Sequence, residues 1–199
     1  MNVILKILAL IHLNILIQTT IVKKVFFIKG SGVHKHELQS FELALRNAGI
    51  EKCNIVTVSS IIPPGCKIIP QNKGIEELKP GEITYCVMSR INTNEPNRMI
   101  GAGIGVAIPR DEESYGYISE HHSFGDPVKK LGDYVEDLAA TMLATTLGLD
   151  FDAEKAWDER KQEFKMSGRF VRTQSVAQTA RGHKNGLWTT ALAAAVFLE

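Results

Sequence analysis

From residue 21 onward the chain changes hydrophobic period several times, and each change marks a predicted element. Val22–Ile28 (VKKVFFI) is apolar and β-rich, and Gly30-Ser31-Gly32 is expected to end it as a first strand. Glu37–Ala48 then sets Leu38, Phe41, Leu45 and Ala48 on one face of a helix that stops at Gly49. Asn54–Ser60 (NIVTVSS) alternates with period two and runs into Pro63-Pro64-Gly65, which predicts a strand followed by a sharp turn. Three more strands are predicted at Ile83–Arg90, Met99–Ile108 and Tyr115–His121, separated by the polar stretch Asn92–Arg98 and by Pro109–Ser114. A helix from about Pro127 to Leu147 carries Val128, Leu131, Val135, Leu138, Met142 and Thr146 towards the core and ends at Gly148. The charged segment Asp152–Lys165 reads as a surface helix, and Arg169–Gln178 and Trp188–Leu198 read as two closing strands. Adjacent strands without a regular strand–helix alternation predict an α+β layered sandwich.

Residues 1–20 stand apart from this pattern. Val3–Ile17 is apolar, but Lys6, His12 and Asn14 interrupt it, and it falls short of the ~20 residues that a spanning helix requires. No small-residue cleavage signature follows before Val22–Lys24. The expected organisation is therefore an N-terminal extension over 1–20 and a single domain over 21–199, with no membrane association.

Composition narrows the partners. The chain of 199 residues has 23 Lys and Arg against 22 Asp and Glu, a formal charge of +1, and no basic block suited to a phosphate backbone. Nucleic acid is not an expected partner. Cys53, Cys66 and Cys86 are odd in number and widely spaced, which suits neither a disulfide framework nor a zinc site and points to a reducing, cytoplasmic setting. Gly101-Ala-Gly103-Ile-Gly105 lacks the spacing and following helix of a dinucleotide loop, so these glycines are read as permitting close packing. His121 and His122 alternate along a strand, and neither they nor His34 and His36 predict a metal.

Chemistry concentrates between Asn54 and Gly65, where a predicted strand delivers Ser59 and Ser60 to a proline-bounded turn. A serine pair at a strand end is by itself usually a hydrogen-bonded turn element. The surrounding text changes that reading. Asn54-Ile-Val-Thr-Val-Ser59-Ser60-Ile-Ile-Pro63-Pro64, following a helix that ends Arg46-Asn-Ala-Gly-Ile50, resembles the self-cleavage region of pyruvoyl-dependent arginine decarboxylases. Further blocks are similar to that family in the same order: Phe41–Ile50, Gly103–Pro109, Gly116–His122 and Lys184–Thr190. Together they span roughly residue 21 to the C-terminus.

The resemblance implies the αββα sandwich typical of pyruvoyl-dependent histidine and arginine decarboxylases. It also implies cleavage between Ser59 and Ser60, conversion of Ser60 to a covalent pyruvoyl cofactor, and decarboxylation of L-arginine to agmatine and CO2 through a Schiff base. The residue types suit this chemistry. A Ser60 hydroxyl held near the Ser59 carbonyl can shift the peptide bond to an ester, and elimination and hydrolysis then leave the ketone. In the family, the proton that replaces CO2 is assigned to the glutamate matching Glu120, whose strand-like setting would let an inward carboxyl be desolvated. Asn54, six residues before Ser60, is placed by period two on the same strand face, where it would bond the oxyanion or the substrate carboxylate; its alternative role is to cap the turn after Cys53. The family's acid for the guanidinium aligns with Glu42, one methylene longer than the Asp expected in archaeal relatives. Ser59 completes the implied substrate contacts. The family also implies a homotrimer or dimer of trimers with active sites between protomers. The competing readings are the same chemistry on another amino acid, a nucleotide-binding enzyme, and a ligand-binding α/β module whose Ser59–Ser60 bond stays intact.

Overall fold

The computed structural model describes residues 21–149, 155, 168 and 170–199. The apolar segment Val3–Ile17 and the predicted surface helix Asp152–Lys165 lie outside the described residues, apart from Lys155. In chain order the elements are β1 (Lys24–His34), α1 (Glu37–Ala48), β2 (Asn54–Thr57), β3 (Ile61–Ile62), β4 (Lys67–Ile68), α2 (Gln71–Glu77), β5 (Ile83–Thr93), β6 (Met99–Pro109), β7 (Gly116–Phe124), α3 (Val128–Thr146), β8 (Phe170–Arg181) and β9 (Trp188–Leu198). They build a five-stranded sheet in the order β2-β5-β9-β1-β4 and a four-stranded sheet in the order β3-β7-β6-β8.

The two sheets face each other. Val25, Val87, Ala193, Ala195 and Phe197 of the first sheet pack against Ile62, Ile104, Val106 and Ile118 of the second. On the outer face of the first sheet, Ala44 and Ala48 of α1 join Phe26, Ile28, Leu192, Ala194 and Val196. On the outer face of the second, Ala139, Ala140, Leu143 and Ala144 of α3 cover Ala107, while Leu131 and Val135 meet Ala177. The layers are helix, sheet, sheet, helix, as expected from the α+β reading. Continuous burial along β9 from Thr189 to Leu198, mostly small and branched residues, is what a strand enclosed between a helix and a second sheet requires.

Several sequence expectations shift. β1 does not end at Gly30 but runs on to His34. A Cβ at Gly30 would sit 2.3 Å from the Ala44 carbonyl oxygen, so this glycine does not break the strand but lets the α1 backbone lie against it. Leu38, expected on the buried face of α1, is 79% exposed; that face is carried instead by the small residues Ser40, Ala44 and Ala48. The Ser40 hydroxyl meets the Thr190 hydroxyl at 2.7 Å inside that contact. α3 likewise buries its alanines with Leu131, Val135 and Leu143, whereas Val128 is exposed and Leu138 and Met142 are only half-buried. The glycines of β6 do permit close packing: a Cβ at Gly105 would fall 1.8 Å from the Val135 carbonyl oxygen of α3. The short elements β3, β4 and α2 had no sequence expectation. Among the described residues no helix is long and apolar enough to cross a membrane.

Candidate active site

The predicted strand Asn54–Ser60 is two pieces in different sheets. β2 pairs in parallel with β5 from Asn54↔Ile83 to Thr57↔Cys86, and the Val58 N–H continues the ladder to the Cys86 carbonyl at 2.9 Å. β3 pairs antiparallel with β7, Ile61 opposite Tyr117 and Ile62 opposite Gly116. Ser59 and Ser60 are the crossing from one sheet to the other. Asn54 and Ser60 therefore do not share a strand face, and the period-two argument that joined them fails because pairing with β5 stops before the serines.

At the crossing the backbone is tied on both sides. The Ile61 N–H donates to the Ser59 carbonyl oxygen at 3.0 Å, and the Ile118 N–H donates to the Ser60 carbonyl oxygen at 2.8 Å. Two residues beyond Ile118 on β7, Glu120 shares its strand face, and period two brings its side chain round to the serine. Burial against the cleft walls raises the Glu120 carboxyl above the ordinary range, while the Ser60 hydroxyl works the other way by bonding its ionised form. Solvent still reaches Glu120 in the isolated chain, so desolvation is partial.

Beside this pair lies a cavity of about 710 Å³, bordered by Phe41 and Leu45 of α1, Asn54 and Thr57 of β2, Met88 to Arg90 of β5, and Glu120 to His122 of β7. Phe41, Leu45 and Met88 give it an apolar side. The Ser89 hydroxyl donates to the His121 carbonyl at 2.6 Å and stitches the two sheets together at its wall. Arg90 lays its guanidinium over the Phe41 ring, 4.2 Å from the centroid. His121 and His122 both border the cavity although they alternate on the strand, their rings stacked with centroids 6.1 Å apart. Burial, then the charge of His122, lowers the His121 pKa against the opposing pull of Asp126. Among the described residues no group of three or more His, Cys, Asp or Glu side chains could hold a metal ion.

The remaining sequence-predicted residues fall as follows. Asn54 borders the cavity, and its side-chain amide donates to the Gly81 carbonyl at 2.8 Å, which pins the entry to β2. Glu42 is not part of the cavity wall; it pairs with Arg46 one turn along α1, at 2.5 Å and 3.1 Å. Ser59 is exposed at the crossing. Phe41, Leu45, Thr57, Met88 and Arg90 were not singled out from the sequence. Phe41 and Leu45 were read as core positions, and nothing in a β-strand pattern tells which residues of β5 border a space.

A serine whose hydroxyl meets a partly desolvated carboxyl, at a tethered crossing beside a cavity of small-molecule size, has the parts of an enzyme that makes its own reactive carbonyl. The comparisons bear on that class directly. The family model described as "Pyruvoyl-dependent arginine decarboxylase" matches residues 24–199. A "Probable pyruvoyl-dependent arginine decarboxylase" of Chloroherpeton thalassium is 58% identical over 181 residues, covering 91% of this chain and all of that protein. "Pyruvoyl-dependent arginine decarboxylase 2" of Methanosarcina mazei is 59% identical over 176 residues, covering 88% and 96%, and the "Pyruvoyl-dependent arginine decarboxylase" of Methanococcoides burtonii is 58% identical over 176 residues, covering 88% and 98%. The chain belongs to the pyruvoyl-dependent arginine decarboxylase family. Membership implies a covalently bound pyruvoyl group, and Ser60 is the residue whose surroundings fit one: it is held through its own carbonyl and faces a carboxyl whose pKa burial raises.

Proposed function

We propose that this chain cuts itself between Ser59 and Ser60, converts Ser60 to a pyruvoyl group, and decarboxylates L-arginine to agmatine and CO2. The observation that carries the reading is the tethered sheet crossing at Ser59–Ser60, with the Ser60 carbonyl held by the Ile118 N–H and Glu120 two residues along the same strand. The pyruvoyl group supplies an electron-withdrawing carbonyl for the carbon–carbon bond that breaks. The chain's own residues do the rest. Glu120, whose pKa burial raises, returns a proton to the carbon that loses CO2. Phe41, Leu45 and Met88 give the substrate's methylenes an apolar wall, and Asn54, fixed through Gly81, offers its remaining amide valences to the substrate's polar end.

The guanidinium requires a carboxylate, and Glu42 is the proposed one. Because Glu42 lies off the cavity wall of its own chain, this role belongs to a neighbouring protomer's cavity, in a homotrimer or dimer of trimers. The two products, residues 1–59 and 60–199, remain one folded unit, since β2 of the first pairs with β5 of the second. The cysteines, unpaired within the chain, suit a reducing cytoplasm.

The test is an intact mass of the purified protein together with CO2 release from L-arginine. Two fragments meeting at Ser59–Ser60, with turnover of arginine, are the expected result. One uncut polypeptide that lacks a reactive carbonyl defeats the proposal, and turnover of another amino acid in place of arginine defeats the substrate assignment.

A further inference from the structure

We infer that the backbone N–H of Ile61 is the oxyanion donor of the self-cleavage, an assignment that rests on the proposed cut at Ser59–Ser60. It bonds the Ser59 carbonyl oxygen at 3.0 Å and closes a three-residue turn centred on Ser60. That oxygen belongs to the carbonyl the Ser60 hydroxyl must attack.

The N–H is free for this work because of its register. Ile61 stands opposite Tyr117, and the adjoining ladder bond runs from the Ile118 N–H to the Ser60 carbonyl. In an antiparallel pair, a residue flanked by such a bond points its own N–H away from the partner strand. β3 is also the edge of its sheet, so no second strand claims the donor. The side chain that sequence spacing offered for this role, Asn54, has an N–H committed to Gly81 and lies in the other sheet.

In the first step the Ser60 Oγ bonds to the Ser59 carbonyl carbon and its proton passes to solvent water, which reaches the exposed Ser59. The carbonyl π pair moves onto the oxygen, where the Ile61 N–H stabilises the charge. Collapse restores the carbonyl and breaks the bond to the Ser60 nitrogen, which recovers the proton as an amine, leaving an ester. Loss of the Ser60 α-proton and of the Cβ–Oγ bond then releases the Ser59 carboxylate and leaves dehydroalanine, which gains a proton at Cβ and loses one from nitrogen to become an imine; water exchanges that nitrogen for oxygen with departure of ammonia. The donor serves the first step alone.

Two variants remove it. Replacing Ile61 by its α-hydroxy analogue through nonsense suppression exchanges N–H for an ester oxygen and keeps the side chain. Ile61→Pro removes the same proton at an edge position outside the ladder, where proline is tolerated. Maturation is followed from freshly synthesised full-length chain by denaturing gel and intact mass, with folding checked by near-ultraviolet circular dichroism. Loss of one oxyanion donor slows cleavage by about 10²–10³. The fraction of Ile61→Pro that does mature keeps the kcat and KM of the natural enzyme for arginine. The assignment is overturned if a folded variant cuts within about threefold of the natural rate, or if kcat falls in proportion to the cut, which marks a distorted turn. Should Ile61→Pro not fold, the ester variant decides. Failure of the unaltered chain to cut refutes the proposed cleavage itself and is seen in the same experiment.

Discussion

The Ile118 N–H holds the carbonyl of Ser60 at 2.8 Å, on the far side of Ser60 from the proposed cut. The carbonyl in question is the one leading to Ile61, so the proposed cleavage leaves the new chain end fastened to β7. Since Glu120 lies two residues along the same strand, one backbone bond fixes the spacing between Ser60 and its proposed acid. Removing the hydroxyl tests the first half of this arrangement. Ser60→Ala leaves Ile118 bonded but takes away the nucleophile, so the product is a single chain on a denaturing gel, with no trapped carbonyl and no CO2 release from arginine.

Glu120→Gln tests the second half. The amide preserves shape and hydrogen bonding but has no proton to give, so fragments form while decarboxylation falls by about 10²–10⁴. pH gives the sign. Burial raises the Glu120 pKa, and in the proposed role its protonated form is the active one, so kcat is expected to decline as pH rises through a value above the usual glutamate pKa. This limb disappears in the Gln variant. A decline centred at or below the ordinary glutamate pKa counts against the assignment.

The Glu42–Arg46 pair separates a structural from a binding role. Both side chains are exposed, so an ion pair one turn apart on a helix contributes at most a few tenths of a kcal/mol. If Glu42 meets the substrate across a protomer boundary, Glu42→Gln raises KM for arginine more than tenfold, about 1.4 kcal/mol or beyond, with cleavage at Ser59–Ser60 unaffected. Arg46→Ala, by contrast, leaves KM within a factor of about two. Equal effects in the two variants, read by steady-state kinetics, remove Glu42 from the substrate.

Gly105→Ala probes the helix-to-sheet contact. The added methyl would lie 1.8 Å from the Val135 carbonyl oxygen, 2.2 Å from its carbon and 2.7 Å from the Glu136 nitrogen. No rotamer relieves a clash with backbone, so α3 has to shift, at a cost of about 3 kcal/mol. At Gly103 the nearest atoms are side-chain carbons of Leu131 and Val135 at 3.1 and 3.3 Å, which can give way, so Gly103→Ala costs less. Urea unfolding midpoints rank the two, and equal midpoints contradict the packing described for β6.

The layers were legible because strands and helices in this chain have distinct periods and end at glycines and prolines. What the sequence could not disclose was how close the layers lie. Gly30 looked like a strand terminator because composition cannot distinguish a glycine at a turn from one beneath a helix backbone. Leu38 looked like core because alanines 44 and 48 carry little hydrophobic signal, although only small residues fit at that distance. In the site, Ser60 and Glu120 were singled out through the family's blocks, while the switch of sheets between Thr57 and Ile61 could not be read. A run of alternating residues reads the same whether one sheet or two receive it, and that switch is what frees the Ile61 N–H.

The order β2-β5-β9-β1-β4 interleaves the two sides of the cut: β2 and β1 precede Ser60, and β5, β9 and β4 follow it. β1 and β9 alone are zipped over the whole register from Lys24↔Leu198 to His34↔Trp188. With the bond cut as proposed, a denatured molecule must regain its shape by two separate polypeptides finding one another in solution, so recovery slows on dilution. The uncut precursor has no such dependence, and maturation thereby turns a foldable chain into an assembly that is hard to rebuild.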